Sequence, residues 1–373
     1  MSGGASTGTY MGTVHGLIEA QAAAQPDALY AVAVDAPQTL TFGALANDCR
    51  KVSAWLRAAG SKPGDVVSVV MPNGLQTMRV LVGAMHGGWC VNPVNLLSQP
   101  EQMRFVLEHS DCRVVVVSPD REALVRQLLG SIDRTVTVLV TDPQADQIPF
   151  AIGPDETSPA LDALALLMYT SGTTGQPKGV MLTQANLAAN AQAISHEHGL
   201  TPDDRVLAVL PLYHINAFAV TMLAPLAHGG SLVMPLRFSA AKFWQQALDH
   251  RCTWLNVVPT MVSYLLEGDD APPAAAATLR FCRSASAALP PEHLRAFEQR
   301  FGIGIVETMG LTETAAPAFS NPMSAARRKL GAVGVASGCE ARVMDAEMNP
   351  AADGTTGEIA IRGPNVMRGY YKN

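Results

Sequence analysis

LLMYTSGTTGQPKGVMLT, from Leu166 to Thr183, is the stretch that most clearly indicates the fold of this 373-residue chain. Its apolar start is typical of a buried strand, and it runs directly into Thr170–Gly175, which holds four hydroxyl side chains and two glycines. Hydroxyl and backbone N–H groups donate hydrogen bonds to anions, and glycine lets the backbone approach closely. Lys178 adds a positive charge. We predict a phosphate-binding loop, although the Walker pattern is absent and a plain surface loop is the alternative.

Apolar runs alternate with helical patterns on both sides of this stretch, and helices are predicted over Val14–Ala24 and around Phe218–Ala227. Val66–Met71 and Val114–Val117 are β-branched runs between predicted helices, which is typical of parallel strands buried on both faces. Each strand–helix–strand unit should cross over right-handedly and build a layered structure. The predicted fold class is α/β, with two layered subdomains of mostly parallel sheets flanked by helices and a small β-rich subdomain at the C-terminal end.

The chain is predicted to divide into three segments. Residues 1–160 form the first α/β subdomain, residues 161–330 the second, which holds the phosphate loop, and residues 331–373 an incomplete β-rich subdomain. Asp142–Leu161 is rich in Pro, Asp and Gln and is predicted to link the first two. Beyond Leu330, short segments separated by Gly, Asp and Pro indicate antiparallel strands.

Composition and charge narrow the classes of function. The chain is 48% hydrophobic and 16% charged, which is ordinary for a folded soluble protein. The net charge is -6 and the basic residues are scattered, so we do not expect a nucleic-acid partner. The six cysteines have no C-x-x-C spacing. They are predicted to be small buried apolar residues of a protein that resides in a reducing compartment. No signal peptide and no transmembrane segment is predicted, which favours a cytoplasmic location.

The stretch from Leu166 to Thr183 resembles a motif of the adenylate-forming superfamily, which contains acyl- and aryl-CoA synthetases, luciferases and peptide-synthetase adenylation domains. The phosphate-loop signature of that superfamily, Y-T-S-G-T-T-G-x-P-K-G, is matched from Tyr169 to Gly179. Further motifs follow in the family's order: P-x-x-H at Pro211–His214, S-G-A-A-P-L at Ser284–Pro290, Y-G-x-T-E at Gly310–Glu313, and G-E-I-x-x-R-G…G-Y at Gly357–Tyr370. A match of this length makes coincidence negligible.

The resemblance implies a function. It implies ATP-dependent activation of a carboxylic acid as an acyl-adenylate, followed by transfer to CoA, with ATP, Mg²⁺ and CoA as the small molecules involved. Two anions must approach each other, so catalysis consists mostly of positioning and charge neutralisation. Two alternatives stay open: an adenylation domain that loads a carrier-protein thiol, and a nucleotide- or acyl-binding module without turnover. A homodimer is a further expectation.

The resemblance also implies a nucleotide site. Thr312 would bond the α-phosphate, and Glu313 with Thr174 would hold Mg²⁺, which prefers hard oxygen ligands beside phosphates. Lys178, Thr312, Glu313 and His214 would be the catalytic residues. The ATP-binding residues would be Thr170, Ser171, Gly172, Thr173, Thr174, Gly175, Lys178, Ser286, Ala287, Ala288, Met309, Gly310 and Thr312.

An acyl pocket within residues 161–330 is implied in the same way. It would be lined by His214, Ala217, Phe218, Val258, Pro259, Ser284, Ala285 and Leu311. Most of these residues are small or apolar, which suits an aliphatic or aromatic acid. His214 would lie beside the reacting carboxylate, where an ionised acid needs no general base; as a lone histidine it would be a satisfied core residue. Arg283 is expected to point outward as a surface charge, whereas an inward position would let it pair with a second carboxylate.

Two departures from the family pattern stand out. Met309 occupies the place of an aromatic residue that stacks on adenine, although a methionine sulfur can still cover a ring face. The chain ends at Asn373, before the family's T-G-D segment, its hinge and the small C-terminal domain with a catalytic lysine. We therefore expect this chain to be the N-terminal part of a longer enzyme and the thioester step to be impaired without that domain.

Overall fold

The computed structural model of this chain describes residues 12–170 and 176–373. Its helices are α1 (Val14–Ala24), α2 (Phe42–Ala58), α3 (Leu75–His86), α4 (Pro100–His109), α5 (Glu122–Leu129), α6 (Gln184–Glu197), α7 (Ala224–His228), α8 (Ala240–Asp249), α9 (Pro259–Glu267), α10 (Pro273–Thr278) and α11 (Pro291–Phe301). A π-helix spans Asn216–Leu223, and 3₁₀ turns span Pro119–Arg121, Thr312–Thr314 and Ala325–Arg327.

The strands of the described residues build three sheets. They are β1 (Leu29–Ala33), β2 (Thr39–Thr41), β3 (Val66–Val70), β4 (Cys90–Pro93), β5 (Val114–Val117), β6 (Thr137–Val140), β7 (Leu164–Thr170), β8 (Lys178–Thr183), β9 (Arg205–Leu207), β10 (Ser231–Met234), β11 (Trp254–Val257), β12 (Phe281–Ser284), β13 (Ile305–Leu311), β14 (Ala316–Ser320), β15 (Val335–Ala336), β16 (Glu340–Met344), β17 (Glu358–Arg362) and β18 (Gly369–Tyr370). One sheet has the order β18-β8-β7-β4-β3-β5-β6, the second β15-β14-β13-β12-β11-β9-β10-β1-β2, and the third pairs β16 with β17.

Most of the pairings in the two large sheets are parallel, as the solid apolar runs predicted. In the first sheet, β4, β3, β5 and β6 pair in parallel, and β5 is buried along its whole length. In the second, β9 to β13 and β1 with β10 also pair in parallel. The small sheet is antiparallel, with Glu340 opposite Arg362. The predicted α/β class with a small β-rich part near the C-terminal end is confirmed.

The sheets do not follow the chain segments one to one. β1 and β2, from the N-terminal part of the chain, extend the second sheet, whereas β7 and β8 extend the first. The chain therefore crosses between the layers more than once. The division into residues 1–160, 161–330 and 331–373 stays a prediction, while Asp142–Leu161 contains neither helix nor strand.

Local sequence accounts for several element boundaries. Helix α1 has the predicted bounds, and the Thr13 hydroxyl caps it by accepting a hydrogen bond from the Gly16 N–H at 2.9 Å. The helix predicted around Phe218–Ala227 is instead a π-helix followed by α7. The Ala224 N–H donates to the Ala219 carbonyl, and Pro225 has no N–H to continue a regular ladder.

All six cysteines are buried, as predicted. Burial raises the pKa of the Cys90 and Cys252 thiols to about 12, since an apolar environment disfavours the thiolate. Burial also raises the pKa of the Cys49 thiol well above its usual value. These thiols behave as small apolar core residues. Among the described helices, none combines the length and apolar character needed to cross a membrane.

Candidate active site

One cavity of about 630 Å³ brings together most of the predicted motifs. Strands of both large sheets contribute to its wall, with Met168 and Thr170 from β7 and Gly310 from β13. The full lining is Pro93, Val94, Asn95, Leu97, Ser98, Gln102, Val106, Met168, Tyr169, Thr170, Pro177, Leu210, Pro211, Tyr213, His214, Ile215, Asn216, Val258, Met261, Ser286, Gly310 and Thr312. Polar groups therefore converge on a partly apolar hollow, as in small-molecule sites.

The phosphate-loop stretch connects two antiparallel strands. Thr170 at the end of β7 lies opposite Lys178 at the start of β8, so the ends of the loop face each other. The strand over Lys178–Thr183 was not predicted, because its short apolar run borders directly on a helix. The Lys178 ammonium lies 5.2 Å from the centre of the Tyr370 ring, within cation–π range. The predicted site residues Ser171, Gly172, Thr173, Thr174 and Gly175 lie outside the described residues.

Thr312 and Glu313 belong to a tight turn that follows β13. The Thr314 hydroxyl accepts from the Leu311 N–H at 3.0 Å and donates to the Ala316 carbonyl at 2.9 Å, which holds the 3₁₀ turn against β14. Thr312 lines the cavity. The Tyr370 hydroxyl donates to Glu313 Oε1 at 2.8 Å. A chain segment far away in sequence therefore orients this carboxylate.

The predicted acyl-site residues separate into three groups. His214 and Val258 line the cavity, and the cavity walls lower the pKa of His214 by desolvation, so the imidazole is neutral at pH 7. Ala217 and Phe218 lie fully buried in the core, and Ser284 and Ala285 are buried as well. Leu311 is exposed, and Pro259 begins α9. These two residues and the four buried ones do not line the cavity.

The predicted adenine-site residues are also distributed unevenly. Ser286 lines the cavity and has a φ of 77°, a left-handed conformation that non-glycine residues adopt at a cost. Ala287 and Ala288 are exposed. Met309 packs against the cluster that contains Phe319 and does not line the cavity.

Arg283 points inward, which corrects the expectation of a surface charge. It is 1% exposed, and its Nη1 donates to Asn216 Oδ1 at 2.6 Å and to Asn256 Oδ1 at 2.7 Å. Burial lowers the pKa of this guanidinium to about 9, which leaves it protonated at neutral pH. The expectation failed because the alternation of β12 cannot show which face of a strand meets a neighbouring polar side chain.

Motif reasoning missed Asn216 and Asn256, and it missed the contact that Tyr370 makes with Glu313. Asn216 follows His214 by two residues, so its nearness to the motif was the available signal. Asn256 lies on β11 and meets Arg283 across the sheet, a contact that only the strand register reveals. Tyr370 is part of a matched motif, but its bond to Glu313 joins residues 57 positions apart.

A second cluster of titratable groups lies on α1 and α3. His15, Glu19 and His86 bring their ligating atoms within 4.8 Å of one another. Arg50 donates to both Glu19 oxygens at 3.2 and 3.3 Å, and this positive charge opposes binding of a cation. Burial lowers the pKa of His86 to about 4. The cluster therefore acts as a packed polar contact between the helices.

Comparison with known proteins decides the family. A model described as "AMP-binding enzyme" matches residues 18–371. The chain belongs to the AMP-binding enzyme family. AMP-binding enzymes of the CoA-ligase type adenylate an acid with ATP and then form its CoA thioester, so the predicted acid–CoA ligase function is confirmed. ATP and CoA are the co-substrates of this family, and Mg²⁺ is its general metal ion.

Several relatives in the AMP-binding family are similar along nearly the whole chain. A sulfoacetate–CoA ligase of Cupriavidus necator is 55% identical over 365 residues, covering 96% of this chain and 71% of the relative. An oxalate–CoA ligase of Arabidopsis thaliana is 31% identical, covering 97% and 73%. The crystal structure of ATP-bound MatB from Rhodopseudomonas palustris superposes with a TM-score of 0.87 at 26% identity, covering 97% of this chain and 72% of that one.

The donor chemistry of the described residues fits Mg²⁺. Glu313 offers a carboxylate whose Oε1 is held by Tyr370, and its other oxygen is not used in a hydrogen bond within the described ranges. A hard carboxylate oxygen beside substrate phosphates is what Mg²⁺ prefers. Glu313 would hold the ion, which would neutralise phosphate charge there.

Proposed function

We propose that this chain activates sulfoacetate, or a closely similar short acid, as its adenylate for transfer to CoA. The observation that carries the proposal is the shared cavity, since Thr170 of the predicted phosphate loop, His214 of the acid motif, and Gly310 and Thr312 of the nucleotide motif all line it. The 55% identity to a sulfoacetate–CoA ligase supports sulfoacetate as the acid.

The proposed first step joins the acid to AMP. A carboxylate oxygen attacks the α-phosphorus of ATP, a P–O bond to the β-phosphate breaks, and pyrophosphate leaves with the electron pair. Lys178 and Thr170 would hold the β- and γ-phosphates, and Thr312 would donate its hydroxyl to the α-phosphate. These groups neutralise charge where the two anions meet, which is the main requirement of the reaction.

The proposed second step releases AMP. The CoA thiol loses its proton to solvent and its sulfur attacks the acyl carbon, and the bond between that carbon and the AMP oxygen breaks.

His214 is proposed to act in the first step. Its neutral imidazole lies at the cavity wall and would orient the carboxylate of the acid by a hydrogen bond. No proton transfer from the acid is needed in the first step, because the acid is already ionised at neutral pH.

Acid-dependent ATP–pyrophosphate exchange tests this proposal. The chain is incubated with Mg²⁺, ATP and labelled pyrophosphate, together with sulfoacetate, oxalate, acetate, ferulate or indoleacetate in turn. We expect sulfoacetate to give the highest exchange rate and Lys178→Ala to lower it by at least about a hundredfold. Lys242→Ala, an exposed lysine on α8, is the matched control. A preference for ferulate or indoleacetate would contradict the proposed acid.

We also propose two properties of the protein beyond its reaction. The first is a cytoplasmic location, which the buried free cysteines support because reducing compartments keep thiols free. The second is a homodimer, which sedimentation equilibrium would test through the measured mass of the particle. Neither affects the proposed reaction.

A further inference from the structure

Arg283 is a buried cation that has no counter-charge among the residues that the structure describes. Its hydrogen-bond partners among the described residues are the amide oxygens of Asn216 and Asn256, which are neutral. His198 lies nearby and is uncharged at neutral pH, because burial and the charge of Arg283 lower the pKa of its imidazole to about 4. Within residues 12–170 and 176–373, the Arg283 Nε is buried and has no hydrogen-bond partner. A buried charge in this state is costly unless something compensates it.

Arg283 is linked to the cavity through Asn216. The Asn216 Oδ1 accepts from Arg283, so its amide nitrogen is turned the other way and donates to the Ser286 hydroxyl at 3.2 Å. Both Asn216 and Ser286 line the cavity beside His214. The cation therefore polarises an amide that lines the cavity and donates to a second cavity residue, Ser286.

The supporting shell keeps this arrangement fixed. Asn256 is fully buried on β11 and holds the guanidinium from the neighbouring strand. Asn216 begins the π-helix, a local widening that often occurs at binding sites. Ser286 has a φ of 77°, and such strained residues persist where surrounding structure over-determines them.

A purely structural role accounts less well for these features. A structural arginine in a core is usually paired with a carboxylate, as the buried Arg79 is with Asp48 at 2.9 Å. Arg283 has amide acceptors instead, which position the guanidinium without cancelling its charge. The uncancelled charge is then available to an anion that enters from the cavity.

We propose that Asn216 and Ser286, backed by the Arg283 cation, form a subsite for a second anionic group on the acid substrate. The subsite suits a sulfonate or a carboxylate one or two bonds from the reacting carboxylate, and it excludes uncharged acyl chains by leaving Arg283 uncompensated. This inference deepens the proposed function and rests on it for the identity of the reacting acid.

The test compares sulfoacetate with methylsulfonylacetate, which has the same tetrahedral sulfur but no second charge. kcat/KM for both acids is measured by ATP–pyrophosphate exchange with the wild type, Asn256→Asp and Arg283→Gln. Asn256→Asp replaces an amide by a carboxylate of the same shape, 2.7 Å from the guanidinium, and so neutralises the cation in place. It preserves the hydrogen bond from Arg283 and loses only the long 3.4 Å bond from the Asn256 amide nitrogen to Asn216 Oδ1. Arg280→Gln is the control, because it removes an equal charge nearby that is already paired.

The expected result is a change in selectivity. The wild type should prefer sulfoacetate by about a hundredfold, and Asn256→Asp and Arg283→Gln should each lower that preference by at least about tenfold. The KM for ATP should stay within about twofold, and Arg280→Gln should keep the wild-type preference. An unchanged preference in Asn256→Asp, with a native circular dichroism spectrum, would overturn the subsite.

A binding measurement separates this inference from the proposed function. Calorimetric dissociation constants of the two acids are compared for the same variants, with or without turnover. If no acid supports exchange, the proposed function fails, and the ratio of dissociation constants still decides the subsite. A ratio near one in the wild type overturns the subsite even if sulfoacetate is a substrate.

Discussion

At the scale of single residues, Glu313 depends on a partner that its own motif does not contain. The Tyr370 hydroxyl holds Glu313 Oε1, and the Tyr370 ring lies beneath the Lys178 ammonium. One aromatic side chain therefore contacts both the proposed metal ligand and the proposed phosphate ligand. We infer that Tyr370 is a positioning residue, since it orients these groups without reaching the cavity wall itself.

Tyr370→Phe tests this role with the loss of one oxygen atom. Without the hydroxyl, the Glu313 carboxylate gains rotational freedom, and we expect the Mg²⁺ concentration for half-maximal exchange to rise about three- to tenfold. The measurement is a Mg²⁺ titration of exchange at fixed ATP, supported by calorimetry of Mg²⁺–ATP binding. Tyr371→Phe is the control, because that hydroxyl donates to Asp111 instead. Equal Mg²⁺ dependence in both variants would argue against the positioning role.

Single residues also show how far sequence reasoning extends. The position of Thr312 and His214 on the wall of one cavity could be predicted, because short motifs fix both the residue type and its spacing. Arg283 could not, because its direction depends on Asn216 and Asn256, and these come from other elements of the fold. Contacts between distant segments are decided by packing, which no local pattern contains.

At the scale of elements, the turn after β13 depends on a close backbone approach. A Cβ on Gly310 would lie 2.3 Å from the Ala316 carbonyl oxygen, where β13 and β14 shift register. Only glycine lets the two strands meet there. Thr312 and Glu313 follow within three residues, so their placement depends on that approach.

Gly310→Ala should therefore disturb stability and nucleotide binding together. We expect a loss of about 1–3 kcal/mol in the free energy of unfolding, as for other overpacked sites. The affinity for ATP should fall about tenfold, because the turn that carries Thr312 must shift. Urea unfolding and calorimetry measure the two effects. Gly130→Ala is the control, since its added Cβ comes no closer than 3.3 Å to another atom. Loss of stability with unchanged ATP binding would separate Gly310 from the site.

Elements with long apolar runs could be predicted from the sequence. Short strands that depend on pairing with another strand could not. The strand Val114–Val117 and the helix Val14–Ala24 have the predicted bounds. The strands Leu29–Ala33 and Thr39–Thr41 went unpredicted, because they are short: the first is stabilised by pairing with β10, about 200 residues later, and the second by pairing with the first. β8 was missed for a similar reason, since β7 provides its hydrogen bonds.

At the scale of the whole molecule, buried histidines make the fold sensitive to acid. Burial lowers the pKa of His86, His198 and His228 to about 4 each. Their pKa in the unfolded chain is about 6.5, so below that pH the unfolded chain binds protons that the folded chain rejects. Glu197 and Glu307, whose pKa burial raises, act in the opposite direction but are fewer.

Stability should therefore fall as the pH drops from about 6.5 towards 4. Each of the three histidines contributes a slope of up to about 1.4 kcal/mol per pH unit. Urea unfolding at pH 7.5, 6.5 and 5.5 measures the change in free energy. His198→Phe keeps a ring stacked on Phe281 and removes one of the three titrating groups. It should reduce the slope by up to about 1.4 kcal/mol per pH unit. A flat profile between pH 6.5 and 5.5 would contradict this account.

The burial of all six thiols has a practical consequence for labelling. Reagents such as maleimides react with accessible thiolates, and the native cysteines offer none in the folded state. Leu97 is 80% exposed at the rim of the cavity. A fluorophore attached to Leu97→Cys would then be the sole dye on the folded chain, and its emission would report the arrival of nucleotide and acid in real time.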